Sequence, residues 1–197
     1  MTAGKTEYLG RGMRVGLYGG TFDPPHSGHL HVARTAMRRL DLDRVWWLVS
    51  PQNPLKSRQA DDYARRLAGV AQLASGPGMV VSDIETRLGI NRTVDLARYL
   101  STRHPDVHFV WVMGADNLAG FHRWAEWREV FETLPIAVVS RPQDAIRARL
   151  STAASLYSGS RIRESEACRL PLAPAPAWTY LTERLNYHSS TALRARN

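Results

Sequence analysis

The stretch MRVGLYGGTFDPPHSGHLHVARTAMRRL, residues 13–40, changes its pattern twice and thereby predicts the fold. Its first seven residues form an apolar run that is typical of a buried strand, and from residue 28 onward apolar residues recur at the spacing of a helix. Glycines, prolines and histidines fill the turn between them. A buried strand, a tight turn and an amphipathic helix are the first unit expected of an α/β protein with a parallel sheet.

The same alternation continues along the chain. Further apolar runs predict strands at 44–50, 79–85, 107–114 and 135–141. Helices are expected at 28–40, 61–75, 93–103 and 144–154, with another helical segment after residue 114 and one at the C-terminus. Continuous Val, Ile, Leu and Trp runs are typical of strands that are buried on both faces of a parallel sheet. Right-handed crossovers between such strands predict a doubly wound α/β sheet with helices on both faces.

The domain organisation is expected to be simple. A length of 197 residues suffices for one core, so we expect a flexible tail over 1–12 and a single domain over 13–197. Residues 142–177, where the alternation weakens, are interpreted as a surface excursion. No apolar run approaches the ~20 residues of a membrane span, and the N-terminus lacks the apolar stretch of a secretory signal, which predicts a cytoplasmic protein without a membrane partner. The single cysteine, Cys168, excludes an intramolecular disulfide and is expected to be a buried or inert thiol.

The chain is basic, with a formal net charge of +8. Of its 26 basic residues, 24 are arginine and only Lys5 and Lys56 are lysine. Such a surplus attracts anionic partners, which include nucleic acids, membrane surfaces and phosphorylated small molecules. Because the arginines are scattered rather than clustered in blocks, we interpret them as a solvated surface and predict no nucleic-acid partner.

The turn at residues 19–29 carries the clearest chemical signal. In open parallel sheets, ligands bind at the carboxyl ends of the strands. Gly19 and Gly20 allow a ligand to approach the backbone closely, and a helix that begins near Gly28 offers free N–H groups to an anion. His26 and His29 lie beside this helix start, where they can donate hydrogen bonds to phosphate oxygens or add positive charge.

Two other interpretations of this turn are available. It can be a capped tight turn without a ligand, or the two histidines can ligate zinc. Zinc is disfavoured because no third and fourth ligand with a recognisable spacing accompanies the histidines, so no protein-held metal site is expected. The patterns G-x-x-x-x-G-K-[ST] and G-x-G-x-x-G are absent from the sequence, which argues against P-loop transfer and dinucleotide redox chemistry.

A second anion site is indicated near the C-terminus by SSTALR, residues 189–194. Hydroxyl groups and free N–H groups at a helix start, with Arg194 one turn later, form a cradle for an anion. A capped terminal helix without a ligand would explain Ser189, Ser190 and Thr191, but it would not explain why two anion cradles occur in one chain. Lys56 offers a mobile point charge for a phosphate, although a lone lysine in a loop is also typical of an exposed surface.

The stretch GGTFDPPHSGHL, residues 19–30, resembles the signature of the nucleotidyltransferase superfamily that carries the [HT]-x-G-H motif. It is similar in particular to the bacterial nicotinate-nucleotide adenylyltransferase family, and the resemblance extends from about Met13 to Arg194. It implies a Rossmann-like fold and transfer of AMP from ATP to nicotinate mononucleotide, with pyrophosphate as the second product, in NAD biosynthesis. It also implies Mg²⁺ as a cofactor that accompanies ATP.

The resemblance assigns roles to individual residues. The triphosphate would be contacted by His26, His29, Lys56 and Arg194 as catalytic residues. ATP would be bound by Gly19, Gly20, Thr21, Phe22, Gly114, Asp116, Ser189, Ser190 and Thr191. The mononucleotide would be bound by Thr93, Trp124 and Arg141. Thr93 is expected to be the N-cap of its helix, Trp124 to stack on the pyridine ring and Arg141 to bind the mononucleotide phosphate, whereas Trp127 is interpreted as a core residue.

Two other functions stay open at this stage. Members of the superfamily transfer adenylyl or cytidylyl groups to other phosphorylated acceptors, such as nicotinamide mononucleotide, phosphopantetheine or glycerol phosphate. A non-catalytic nucleotide-binding protein is the alternative from another class, since a fold does not fix an activity. The sequence motifs do not distinguish nicotinate from nicotinamide mononucleotide, and they leave the oligomeric state open.

Overall fold

The computed structural model describes residues 7–50, 62–140 and 145–183, and these residues form a six-stranded parallel sheet. Its strands are β1 (Arg14–Gly20), β2 (Arg44–Val49), β3 (Met79–Ser82), β4 (His108–Gly114), β5 (Ile136–Val139) and β6 (Trp178–Leu181). The strand order is β3-β2-β1-β4-β5-β6, so the chain winds outward from β1 in both directions. This is the doubly wound, Rossmann-like order, and it confirms the predicted fold class.

The helices of the described residues are α1 (Ser27–Arg39), α2 (Tyr63–Leu73), α3 (Ile84–Leu88), α4 (Thr93–Arg103), α5 (Ala115–Gly120), α6 (Trp127–Thr133), α7 (Ala145–Arg149) and α8 (Thr152–Leu156). Short 3₁₀ segments lie at Phe121–Arg123, Ser158–Ser160 and Glu164–Leu172. Within the described ranges, none of these helices has the length and the apolar character that crossing a membrane requires.

Each face of the sheet is covered by its own core. Side chains alternate along a strand, so Trp46 packs into one core and the adjacent Trp47 into the other. Helices α1 and α2 cover the Trp47 face, with Val32 and Val70 fully buried. Helices α4, α5 and α6 cover the opposite face. The helices therefore lie on both sides of the sheet, as expected of strands that are apolar throughout.

One predicted strand is too long, and one strand of the structure was not predicted. The predicted strand 79–85 ends at Ser82, because the Ser82 hydroxyl accepts a hydrogen bond from the N–H of Ile84 at 3.2 Å and α3 begins there. Strand β6 was missed, since four residues that follow a Pro- and Ala-rich stretch are too few to show a period. Its outer edge is covered by a preceding segment of the chain, in which the N–H of Ile162 donates to the carbonyl of Trp178 at 2.8 Å.

The segment between β5 and β6 contributes to the packed domain rather than lying wholly on its surface. Ala148, Ala153 and Leu170 are each 0 % exposed. The predicted helix 144–154 is divided into α7 and α8, because the Ser151 hydroxyl accepts from the N–H of Ala154 and caps a new helix. Cys168 also lies in this segment with an exposed side chain, which excludes the buried alternative and leaves the inert thiol as a prediction.

The described part of the N-terminal tail contacts the domain. The Glu7 carboxylate accepts hydrogen bonds from the Ser82 hydroxyl and from the Arg87 guanidinium. The N–H of Gly12 donates to the carbonyl of Asp106 at 2.7 Å. Residues 7–12 are thus joined to the sheet before β1 begins.

Candidate active site

The predicted ATP-binding residues of the first turn and of β4 lie at one edge of the sheet. Strands β1 and β4 are adjacent and parallel, and they end at Gly20 and Gly114. Helix α1 leaves this edge toward one face of the sheet and α5 toward the other, with Asp116 in the first turn of α5. The crevice between two such helices is the topological switch point at which doubly wound sheets bind ligands.

His26 and His29 form the N-terminal cap of α1 with their side chains. His26 is the N-cap residue, and its Nδ1 accepts a hydrogen bond from the N–H of Gly28 at 3.0 Å. In return, Nδ1 of His29 accepts from the N–H of His26 at 3.2 Å. The two imidazoles stack with their centroids 3.7 Å apart. This is a reciprocal capping box in which histidines take the places that Ser or Thr and Glu usually occupy.

The capping box fixes the tautomer of both histidines. Each Nδ1 accepts a hydrogen bond from a backbone N–H, so in the neutral ring the proton lies on Nε2. The remaining donor of each ring is then Nε2–H, which for His26 is buried, and both rings lie at the positive end of a helix dipole.

Phe22 is a buried residue of the turn whose ring packs against His29. It has a left-handed backbone, with φ of 48°, and its side chain is 2 % exposed. Its ring meets that of His29 edge-on, with centroids 5.0 Å apart, and also packs against Tyr18 and Trp47. The structure therefore places the ring of this predicted ATP-binding residue in the core beneath His29.

Gly19 is required by the packing of the strand behind it. A Cβ atom at Gly19 would lie 2.6 Å from Cη2 of Trp111, whose ring is buried. The absent side chain leaves space for the indole of β4, and the close approach of a ligand to Gly19 stays a prediction. Gly20 has a similar neighbour, because its Cβ would lie 3.1 Å from the Phe22 ring.

Replacing Gly19 with alanine is expected to lower the free energy of unfolding by about 1–3 kcal/mol, because the indole of Trp111 must move within a packed core. Urea denaturation of the purified variant measures this loss. Gly159→Ala is the matched control, since a Cβ at Gly159 meets nothing within 4 Å. Equal unfolding free energies for Gly19→Ala and the wild type would contradict the packing argument.

The predicted mononucleotide-binding residues Thr93 and Trp124 lie on the face covered by α4 and α6. Thr93 is the first residue of α4 and Arg92 is its N-cap, so the prediction of Thr93 as the N-cap is wrong. Trp124 is half-buried and packs against the rings of Phe121 and Trp111 at centroid distances of 4.9 and 6.2 Å. Trp127 packs against the same core, as expected.

An ion-pair network joins these two helices close to Trp124. The Arg98 guanidinium of α4 contacts Glu126 at 2.7 Å and Glu129 at 2.5 Å. Through these hydrogen bonds Arg98 lowers the pKa of the Glu129 carboxyl. Glu126 has a left-handed backbone and lies two residues after Trp124. The network therefore connects the middle of α4 with the loop that carries the tryptophan.

The sequence reasoning missed two buried charged residues at this edge. Arg66 is 2 % exposed and donates to the carbonyl oxygens of Thr21 and Ser50. Glu85 is 5 % exposed, and burial raises the pKa of its carboxyl to about 7, partly offset by a hydrogen bond with the Ser50 side chain. The available signal for Arg66 was its place four residues before Val70, on the apolar face of the predicted helix.

The other predicted site residues lie outside the described residues. They are Lys56, Arg141, Ser189, Ser190, Thr191 and Arg194. Their assigned contacts with the triphosphate and with the mononucleotide phosphate stay predictions.

An open parallel sheet with a helix N-terminus and two histidine donors at its switch point defines a nucleotide-binding α/β protein. The chain belongs to the cytidylyltransferase-like family, whose model matches residues 17–196.

Relatives within this family are closely similar. A protein of Caulobacter sp. (strain K31), named "Probable nicotinate-nucleotide adenylyltransferase", is 57% identical over 185 residues, which cover 93% of this chain and 98% of the relative. A protein of Cereibacter sphaeroides (strain ATCC 17023) with the same name is 49% identical over 183 residues, which cover 93% and 97%. These relatives confirm the resemblance to the bacterial nicotinate-nucleotide adenylyltransferases.

Solved structures agree on the fold. Nicotinic acid mononucleotide adenylyltransferase of Plasmodium falciparum, complexed with NaAD, superimposes with a TM-score of 0.69 at 16% identity, covering 93% of this chain and 83% of that one. The same enzyme complexed with APC gives a TM-score of 0.67 at 17% identity, covering 92% and 82%. Both share the doubly wound architecture found here.

Proposed function

We propose that the protein transfers the adenylyl group of ATP to nicotinate mononucleotide, forming nicotinate adenine dinucleotide and pyrophosphate in the biosynthesis of NAD. The observation that carries this proposal is the pair of histidine donors in the capping box of α1, at the switch point of the sheet. The names of relatives at 57% and 49% identity support the choice of substrate.

The reaction needs positioning and charge stabilisation more than covalent chemistry. A phosphate oxygen of the mononucleotide attacks the α-phosphorus of ATP, a new P–O bond forms, and the bond to the β-phosphate oxygen breaks with its electron pair leaving on pyrophosphate. The nucleophile is already anionic, so no general base is required. The protein accelerates such a step by holding the reactants in line and by stabilising charge on the oxygens around phosphorus. No covalent enzyme intermediate forms.

His26 and His29 supply this stabilisation as Nε2–H donors to the oxygens of the α- and β-phosphates. Their rings are pre-oriented by the two backbone hydrogen bonds at Nδ1, so little reorganisation accompanies the reaction. Gly19, Gly20 and Thr21 bring the backbone of the turn close to the nucleotide.

The remaining contacts follow from the family assignment. Gly114 and Asp116 border the nucleotide from β4 and α5, while Lys56, Ser189, Ser190, Thr191 and Arg194 hold the triphosphate. Thr93, Trp124 and Arg141 bind the mononucleotide. The half-buried indole of Trp124 provides a flat apolar surface for the pyridine ring.

Mg²⁺ enters with ATP in this proposal, and the reaction takes place in the cytoplasm. The described residues include no group of three or more His, Cys, Asp or Glu side chains placed to hold a metal ion. Mg²⁺ in nucleotide-dependent enzymes commonly binds through substrate phosphates and water rather than in a cage of protein ligands. When bound, Mg²⁺ neutralises charge on the triphosphate.

Pyrophosphate release tests the proposal directly. The purified protein is incubated with ATP or CTP and with each of four acceptors, namely nicotinate mononucleotide, nicotinamide mononucleotide, phosphopantetheine and glycerol phosphate. We expect the highest kcat/KM for ATP with nicotinate mononucleotide. The CTP reactions are included because the family model describes cytidylyltransferase-like proteins. Background release with both mononucleotides would reject the proposed function.

A further inference from the structure

Helix α2 holds the turn between β1 and α1 through two residues that the proposed mechanism does not use. Arg66 and Gly69 are three residues apart on α2, so they lie on the same side of the helix. Arg66 contacts the beginning of the turn and Gly69 contacts its end. Among the residues that the structure describes, Arg66 is the only arginine whose side chain is almost completely buried.

Arg66 joins the ends of two strands. Its Nη1 donates to the carbonyl oxygen of Thr21 at 2.6 Å and to that of Ser50 at 2.8 Å. Thr21 follows β1 and Ser50 follows β2, and the N–H of Ser50 donates to the carbonyl of Gly20 at 3.0 Å. The guanidinium therefore extends the connection between β1 and β2 beyond the last ladder pair, at the residues where the phosphate-binding turn begins.

A buried cation in this position is held by strong and directional contacts. Removing a charged group from water is costly unless hydrogen bonds compensate, and bonds from a charged donor to a carbonyl are stronger than neutral ones. The guanidinium also lies 5.4 Å from the ring centroid of Tyr63, on the same helix. Both bonds come from the single atom Nη1, so lysine would keep the charge and part of this bonding, but its ammonium lacks the planar group that lies near the Tyr63 ring.

Gly69 allows α2 to approach the other end of the turn. A Cβ atom at this position would lie 2.9 Å from Cγ of Pro25. Pro25 immediately precedes His26, whose backbone N–H and side chain both belong to the capping box of α1. The packing of Gly69 against Pro25 therefore restricts the position of the residue that precedes His26.

We propose that Arg66 and Gly69 make α2 a positioning element of the active site. Arg66 fixes the start of the turn by its hydrogen bond to Thr21, and Gly69 allows α2 to pack closely against Pro25 at the end of the turn. These two contacts hold His26 and His29 where the ATP phosphates bind. The inference rests on the proposed function, because that function gives the histidines their role. Misplacement of such groups by about 1 Å can cost about 10²-fold in rate.

Steady-state kinetics of Arg66→Met and Gly69→Ala test the proposal. We expect kcat to fall about 10- to 100-fold in each variant, with a smaller change in KM for nicotinate mononucleotide, because the histidines act on the reacting phosphates. Arg65→Met is the matched control, since Arg65 is exposed on the same helix, and its kcat should stay within about twofold of the wild type. Arg66→Lys retains a charge and provides a second variant where Arg66→Met does not fold.

The histidine side chains provide a readout that loss of stability alone would not move. In ¹⁵N NMR spectra of the ligand-free protein, His26 and His29 should show an unprotonated Nδ1 and a protonated Nε2, and we expect these signals to shift in Gly69→Ala and in the folded Arg66 variant. Unchanged histidine signals together with wild-type kcat in both variants would overturn the proposal. An inactive wild type whose histidine signals shift in the variants would reject the proposed function and leave the positioning role supported.

Discussion

Replacing His29 with asparagine is expected to lower kcat/KM for adenylyl transfer about 10²–10³-fold, the loss typical of a removed donor to a developing charge. The asparagine side chain can present an acceptor oxygen near the position of Nδ1, which accepts from the N–H of His26 in the wild type. It has no group that reaches the position of Nε2. The variant therefore removes the phosphate donor while keeping most of the helix cap. Pyrophosphate release under saturating and limiting ATP measures the loss.

One further variant distinguishes the role of His29 as an Nε2–H donor from its role in the helix cap, and a second variant is a control. His29→Gln places an amide N–H near Nε2 and should retain more activity than His29→Asn, although it loses the Nδ1 acceptor. His104→Asn is the control, since His104 ends α4 next to Phe109 at the start of β4, on the edge of the sheet opposite the site. A His29→Asn enzyme with wild-type kcat/KM would remove His29 from the mechanism.

Replacing Glu85 with glutamine is expected to stabilise the protein by up to about 3 kcal/mol at pH 8. Burial raises the pKa of this carboxyl from 4.5 to about 7, so between these values the folded protein binds more protons than the unfolded chain. The contribution of Glu85 to the free energy of unfolding must therefore fall as the pH rises through this window and stay lower above it. Glutamine is neutral throughout, so the variant escapes this loss.

Urea denaturation at several pH values between 4 and 8 measures the effect. The difference between Glu85→Gln and the wild type should be small near pH 4.5 and should grow toward pH 7, after which it stays constant. Glu166→Gln is the control, because Glu166 is a partly exposed carboxylate paired with Arg169 on the surface. A difference that does not change with pH would contradict the assigned burial effect.

Much of the fold could be predicted from local patterns, because each central strand carries its own apolar run. Strands β1, β2 and β4 are buried on both faces, so their sequences show the signal without interruption. Strand β6 could not be predicted in this way. Its four residues, Trp178–Leu181, owe their strand conformation to pairing with β5, which is a tertiary interaction.

Local patterns could indicate the candidate site only where its residues are neighbours in sequence, whereas Gly114 and Asp116 were assigned by the family resemblance. The spacing of His26 and His29 indicated donors at a helix start, but their reciprocal capping is unusual for histidine and is a matter of side-chain geometry. The need for glycine at position 19 depends on Trp111, and the role of Arg66 depends on two carbonyl groups of distant loops. No local pattern contains these contacts.

The covered edge of β6 bears on how copies of this chain can associate. An exposed edge strand is a template on which a second molecule can continue the sheet. Here the carbonyl of Trp178 already accepts from Ile162, and the Thr179 hydroxyl donates to the Ile162 carbonyl at 3.1 Å. A strand of a second molecule could pair with β6 only after the Ile162 segment had separated from it. This edge of the sheet is therefore protected against growth into a fibre as long as the native fold is intact.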